Sequence, residues 1–393
     1  MQKGATSRRI PVPPRRRGPP IAPIAASHVP PRRRRRRWLP LGLLSLALLL
    51  PGCGRLRGLQ HTTLHIDVVP LSSTSAAGVS SQTKLATPVL EAFRLLHPEV
   101  ALRIRVVSEA DLAPELALQQ RRGLGPDLLL VRAPVAVALR REGLVDPVPD
   151  NATMRQTLAS LEPAALQRVR ERGELVGLPV ANEITLACYD RRQVSDPPRT
   201  LDQLVALAGS GRTVGLSVEP IGIWWSAGAF KAGEALAPVL TGRPPDADYD
   251  PTVGRAALVR WLQWLRMASQ QSRIDIAASP EDLLRGLVNG RLAWIPCYSL
   301  SLVDLQQAMG SRLGVAVLPS GPAGPATPFN SERVWVFGMD SSRRQRRLAE
   351  ELARLSLNPM LQRQITLENQ ATMPVNRFVA VPVAASGRLA AMA

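Results

Sequence analysis

"VLEAFRLLHPEVALRIRVV", Val89–Val107, decides the reading of this chain. Its first half places Val89, Phe93 and Leu96 three and four residues apart, and Leu85 extends the stripe backwards. That is the period of a helix with one apolar face. His97-Pro98 makes a turn, and the period then changes to two: Leu102, Ile104 and Val106 fall on one face of a strand. Upstream, "LHIDVV" (Leu64–Val69) reads as another strand. Downstream, "DLLLV" (Asp127–Val131) is a short continuous apolar run, the pattern of a strand buried on both faces. A helix is expected from about Ala133 to Arg141, stopping at Gly143. This β-α-β-α order argues for a parallel sheet with helices on its faces.

A second set follows. "ITLACY" (Ile184–Tyr189), "TVGLSV" (Thr213–Val218), "RLAWIPCY" (Arg291–Tyr298) and "LGVAVLP" (Leu313–Pro319) read as strands. Thr200 with Gln203 three residues on has the form of a capping box opening a helix. Ser279 and Pro280 open another, which Gly290 closes. Ala257, Trp261 and Leu265 form the stripe of a strong helix, which places Trp261 and Trp264 in the core. Strand "VWVFGM" puts Trp335 there too, and a helix is expected around Leu348, Leu352 and Leu355. There is no internal repeat, and the clearest break is the Gly/Pro-rich loop at Ser320–Ser331.

The amino terminus has a different grammar. "RRRRRRWLPLGLLSLALLLPGCG" (Arg32–Gly54) joins a basic block to an apolar run from Trp38 to Pro51. A membrane-spanning helix needs about 20 apolar residues, so this run is too short. A basic region followed by about 7–15 apolar residues is the pattern of an export signal. "LPGC" (Leu50–Cys53) resembles the lipobox of bacterial lipoproteins, with Pro51 where Ala or Ser is usual. That resemblance implies acylation of Cys53 and removal of residues 1–52, leaving a lipidated tether at 53–61. Residues 1–52 hold Lys3, eleven arginines and no acid, so twelve of the chain's eighteen surplus positive charges lie there. Six remain, which is mildly basic and not the footprint of a nucleic-acid binder. Cys188 and Cys297 are the cysteines left beyond Cys53. In an exported protein such a pair reads either as a disulfide or as two buried thiols.

The motifs in order resemble the bacterial extracellular solute-binding proteins of ABC importers, in the sugar- and maltodextrin-binding branch. The resemblance rests on "VLEAFRLLHPEVALRIRVV", "GPDLLLV...LRREGLVDPV", "GELVGLPVANEITLACYD", "PPRTLDQLVALA", "LLRGLVNGRLAWI", "LGVAVLPSGPAG" and "ATMPVNRF". These run from about Leu64 to Pro374. Leu201 stands where the family favours Trp, and Cys188-Tyr189-Asp190 replaces Tyr-Asn-Lys.

The resemblance implies an α/β, two-lobed periplasmic-binding-protein-like fold of type II. Each lobe is a mainly parallel sheet flanked by helices, with a cleft between the lobes. Lobe I is expected at 62–180 and 319–375, lobe II at 181–318, and a tail at 376–393. The chain is expected to cross between lobes near Leu178–Ala181 and Leu318–Ser320. The implied function is lipid-anchored capture of a small solute, a carbohydrate or polyol, by hinge closure, and delivery to ABC transporter permease subunits. The protein would be exported, a monomer on the periplasmic face of a membrane, with no cofactor. The competing reading keeps the fold in a lipoprotein that is a sensor or assembly partner.

Open α/β sheets bind ligands beyond the carboxyl ends of their strands. That places Ser72, Ser73 and Thr74 after the first strand, Arg132 after the third, and Glu183 past the first crossing as candidates. Hydroxyls donate and accept, a guanidinium forks to paired oxygens, and a carboxylate accepts from hydroxyls. Trp224 and Trp225 follow a strand, and Trp294 and Tyr298 flank another. An indole offers a flat apolar face with one polar edge, suited to the C–H face of a sugar ring. Asn330 and Ser331 end the Gly/Pro loop and complete the set.

Enzyme chemistry finds no support in the sequence. Three histidines lie beyond residue 52: His61, His65 and His97. His61 and His65 are four apart, but on an expected tether and strand rather than a helix. No metal-ligand spacing, nucleophile elbow or phosphate-cradling glycine loop occurs.

Overall fold

The computed structural model describes residues 62–70, 76–219, 222–241, 248–277, 279–328 and 330–393. Cys53, the 1–52 segment, the 53–61 tether, and Ser72, Ser73 and Thr74 lie outside the described residues.

The first half runs β1 (Thr62–Val68), α1 (Ala76–Leu96), β2 (Val100–Val106), α2 (Glu109–Gln120), β3 (Leu128–Arg132) and α3 (Ala133–Arg141). It continues through α4 (Ala152–Leu158), α5 (Pro163–Arg168), the hairpin of β4 (Arg170–Glu171) and β5 (Glu174–Leu175), and β6 (Leu178–Glu183). The second half runs β7 (Thr185–Asp190), α6 (Leu201–Gly209), β8 (Val214–Ser217), a 3-10 helix at Trp224–Phe230, α7 (Gly233–Thr241), α8 (Pro251–Ser269) and β9 (Ile274–Ala277). Then come α9 (Pro280–Val288), β10 (Trp294–Tyr298), α10 (Leu302–Met309) and β11 (Leu313–Ala316). The chain returns as β12 (Ser331–Phe337), α11 (Arg343–Leu355), α12 (Pro359–Asn369) and α13 (Gly387–Met392).

Two five-stranded sheets result, in the orders β2-β1-β3-β12-β6 and β11-β7-β10-β8-β9. In each, one strand opposes the other four: β12 in the first and β7 in the second. The chain passes from the first sheet to the second at Glu183–Thr185 and returns through residues 317–330. The first passage lies beyond the expected Leu178–Ala181, because Leu178–Glu183 still pair with β12.

Local chemistry sets the helix ends as the sequence indicates. Ser279 accepts from Asp282 N, Pro280 takes the first turn, and Gly290 closes α9 at φ +80. Thr200 accepts from Gln203 N at 3.2 Å, but the Gln203 amide reaches back to Arg199 N rather than completing a box. Val89 and Phe93 are buried on α1, each contributing roughly 1.5–3 kcal/mol. Leu96, placed on the same stripe by its spacing, is instead 59% exposed, at the last residue of the helix.

The first sheet carries one continuous core. The second sheet buries two, one per face, because successive side chains on a strand alternate. Ala187 and Tyr189 enter one core, Leu186 and Cys188 the other. Cys188 pairs with Ile295 and Leu186 with Cys297 across β7 and β10, so the cysteines are diagonal neighbours on one face. Their Cα atoms are 5.9 Å apart and they form a disulfide, which decides between the bond and the thiol pair that the sequence left open.

Candidate functional site

The carboxyl ends of the strands of both sheets meet at the Glu183–Thr185 passage. Lobe I brings Arg132 at the end of β3, Glu183 at the end of β6, and Ser331 and Arg333 from the start of β12. Register sets their neighbours: Arg333 lies opposite Arg132, and Ser331 opposite Glu183. Lobe II brings Ser217 at the end of β8 and Tyr298 at the end of β10, where Tyr298 lies opposite Thr185.

Glu183 is fully buried, and neither of its carboxylate oxygens has a hydrogen-bond partner among the described residues. Its charged neighbour is Arg333, with Nε 3.6 Å from Oε1. Arg333 spends Nη2 on the carbonyls of Val69 and Leu130, at 2.7 and 3.2 Å, and leaves Nη1 without a partner. Burial pushes the Glu183 carboxyl up to about 7, against the opposing pull of Arg333 and Arg132. Burial likewise lowers the Arg333 guanidinium, and Glu183 raises it only in part. A charge is expensive to bury unless paired and hydrogen-bonded. This pair is close in charge and poor in hydrogen bonds, so it has capacity for another polar group.

Arg132 is half-buried and forks onto Glu109, with Nη2 2.6 Å from Oε1 and Nε 3.1 Å from Oε2. Burial pulls its pKa down, but the hydrogen bonds and charge of Glu109 outweigh that and hold it above the ordinary value. Glu109 stands in the first turn of α2, where the helix dipole favours an anion. Across the cleft, burial pushes the Tyr298 phenol up to about 12; the charges acting on it come from Arg132, Glu183, Glu219 and Glu109. Groups of both lobes therefore share one electrostatic neighbourhood.

The aromatic candidates separate. Trp224 is half-exposed in the turn after β8, and its indole N–H donates to Val218 O at 3.1 Å. Trp225 and Trp294 are fully buried in the lobe II core, with ring centroids 6.0 Å apart, and present no face to the cleft. The 3-10 turn at Trp224–Phe230 decides which of the adjacent indoles points inward. Asn330 is exposed, and its side-chain oxygen accepts from Thr185 N at 3.0 Å, so it ties the two passages together. Ser331 Oγ and Ser217 Oγ are buried without a partner among the described residues.

Arg333, Glu109, Glu219 and Ser217 escaped the sequence reading. A signal existed for Arg333: a charge inside the apolar strand "SERVWVF" demands a partner. Glu332, beside it, finds its own in Arg168. Arg333 also lines a cavity of about 90 Å³ whose walls are mostly apolar, with Val89, Leu90, Leu300, Trp335 and Met373 beside Gln362 and Thr366. Among the described residues no group of three or more His, Cys, Asp or Glu side chains is placed to hold a metal. None of the described helices is long and apolar enough to cross a membrane.

No protein-family model matches the chain. The maltotriose-binding protein of Pyrococcus abyssi is 27% identical over 114 residues, 29% of this chain, and the match spans only 24% of that protein. Among solved structures, the GacH receptor of Streptomyces glaucescens, determined unliganded and with acarbose, aligns with a TM-score of 0.68 at 16% identity over 84% of each chain. The maltotriose-bound protein of Thermus thermophilus gives 0.65 at 20% identity, covering 83% of this chain and 85% of its own. A maltose-bound protein of T. maritima gives 0.63 at 16%, covering 81% and 82%. All four are binding proteins rather than enzymes. This chain has their fold, and in it two α/β lobes are joined by crossing segments, each sheet with one strand reversed.

Proposed function

We propose that the protein is a lipid-anchored solute-binding protein that captures a carbohydrate or polyol between its lobes and delivers it to ABC transporter permease subunits. The reading places it on the periplasmic face of the membrane, held through an acylated Cys53. One observation carries it: unsatisfied donors and acceptors gather where the two sheets' strand ends meet. Glu183 lacks donors, Arg333 Nη1 lacks an acceptor, and Ser331 Oγ and Ser217 Oγ lack either. Hydroxyls, which donate and accept, answer both needs. The half-exposed Trp224 adds an apolar face for a ring. Ligands of the structural neighbours, maltose, maltotriose and acarbose, have this chemistry.

The test is ligand-induced stabilisation. A ligand at a hundred times its Kd stabilises the folded state by about 2.7 kcal/mol. Melting is measured with maltose, maltotriose, acarbose and a set of polyols, on the wild type and on Glu183→Ala. A rise confined to the wild type is expected. If no sugar or polyol shifts the wild type, the reading falls. Palmitate incorporation that disappears in Cys53→Ala tests the anchor separately.

A further inference from the structure

In a parallel β-α-β lobe the strand starts and the preceding helix ends share one edge, opposite the cleft. In lobe I that edge carries an unusual mixture. Leu95 and Leu96, ending α1, are 84% and 59% exposed, and Leu124, after α2, is 70% exposed. Met339, after β12, is 46% exposed. Among them stand the exposed arginines Arg94, Arg121, Arg122, Arg343, Arg344 and Arg347. Acids share the edge, among them Glu351 beside His97 and Asp146, which pairs with Arg346. Glu99 lies 3.8 Å from Arg344, and Asp340 accepts from Gly125 N at 2.9 Å.

These residues form one belt, because named contacts join its parts. Gly125 and Asp340 tie the α2–β3 loop to the β12–α11 loop. Arg344 in the first turn of α11 lies near Glu99, and Glu351 two turns further on lies 3.0 Å from His97, so α11 is tied to the turn before β2. Gln345 Nε2 donates to Thr63 O at 3.0 Å, so the first strand starts inside the belt. Thr62 follows Cys53 by nine positions in the sequence. Those nine steps span at most about 32 Å when fully extended.

We propose that this edge of lobe I rests on an anionic lipid surface, with Leu95, Leu96 and Leu124 entering the headgroup boundary and the arginines around them pairing with phosphates. The proposal deepens the reading of Cys53 as an anchor and rests on it for the membrane's nearness. Isolated exposed leucines are ordinary; several together, ringed by exposed cations of which Arg344 alone has an ion-pair partner among the described residues, mark an interaction face. Apolar side chains bedded among basic ones are what interfacial segments use. Arg343 and Arg347 have no ion-pair partner among the described residues, so no internal role accounts for their charge. The consequence is orientation. With the strand starts against the bilayer, the cleft at the strand ends faces away from it and takes up arriving solute, and delivery to permease subunits requires release into the free orientation.

The full chain, reconstituted into vesicles of phosphatidylcholine with or without phosphatidylglycerol, tests this. An environment-sensitive fluorophore is placed at Leu95→Cys, and a control at Arg260→Cys on α8, both exposed positions. On phosphatidylglycerol vesicles the probe at 95 is expected to shift to the blue and to be quenched by spin-labelled lipid, while the control does neither. Each basic residue near an anionic surface is worth about fivefold, so Arg343→Ala/Arg344→Ala/Arg347→Ala moves the balance between docked and free orientations about a hundredfold toward free. Circular dichroism checks that the variant stays folded. A probe at 95 that stays in water while Cys53 is acylated overturns the proposal and leaves the anchor standing. A probe that enters lipid while Cys53 is unacylated supports the proposal and removes the anchor reading. Equal docking on phosphatidylcholine alone, or binding to a soluble polyanion without any probe shift, overturns it.

Discussion

Replacing Glu183 by Gln removes a buried titration and nearly nothing else, since the amide has the carboxyl's shape. The carboxyl is fully buried, and its pKa is raised from 4.5 to about 7 by that burial. Below about 4.5 it is protonated in both folded and unfolded chains, and stability carries no penalty from it. As pH rises from there to about 7, the unfolded chain ionises while the folded one keeps its proton. The unfolded state then binds fewer protons, so unfolding free energy falls with pH. Above about 7 both are ionised and the loss is complete. At 1.36 kcal/mol per unit, the shift amounts to about 3 kcal/mol. Urea unfolding of wild type and Glu183→Gln at several values between pH 4 and 8 reads this directly, and other titrating groups cancel in the difference. The wild type should lose about 3 kcal/mol relative to the variant across that window. Two parallel curves would refute the reasoning: Glu183 would then be solvated or fully satisfied, and the cleft would lose its main unsatisfied acceptor.

Three further outcomes follow from the same geometry. Trp224→Ala should weaken the proposed sugar ligand about tenfold, the roughly 1.5 kcal/mol of an aromatic face, with little change in melting; Trp225→Ala should cost about 3–5 kcal/mol of stability instead. Titration calorimetry and denaturant unfolding on both variants separate these effects. Cys188→Ala/Cys297→Ala should lose about 2–4 kcal/mol, since the bond closes a sequence separation of 109, and reductant should affect only the wild type in thermal scans. Lys231 holds a left-handed backbone at φ +58 at the end of the 3-10 turn, so Lys231→Gly should gain up to about 1 kcal/mol in denaturant unfolding, where an interior helix position would lose it.

Several elements were legible in the residues alone, because their causes are local. The 3.6 and 2.0 periods around His97-Pro98 specify α1 and β2. Ser279, Pro280 and Gly290 bound α9 through bonds to their own neighbours. The candidates Arg132, Glu183 and Ser331 were also reachable, since strand ends converge in an open α/β sheet, and the structure does bring these three together on adjacent strands.

Tertiary structure decided the rest, wherever a residue's fate depends on a partner distant in sequence. Trp224 and Trp225 are chemically identical neighbours, and only the packing of lobe II around Trp294 makes one core and leaves the other half-exposed. The period that counts Leu96 into the α1 stripe cannot say whether anything packs over it. The bond between Cys188 and Cys297 depends on a strand register set 109 residues away. The unsatisfied pair of Glu183 and Arg333 exists because β6 and β12, which belong to the same lobe, are separated in the chain by the whole of the second sheet. Sequence fixes what a short segment does with its own backbone. Burial, and with it the pKa and the binding capacity of a side chain, belongs to what folds over it.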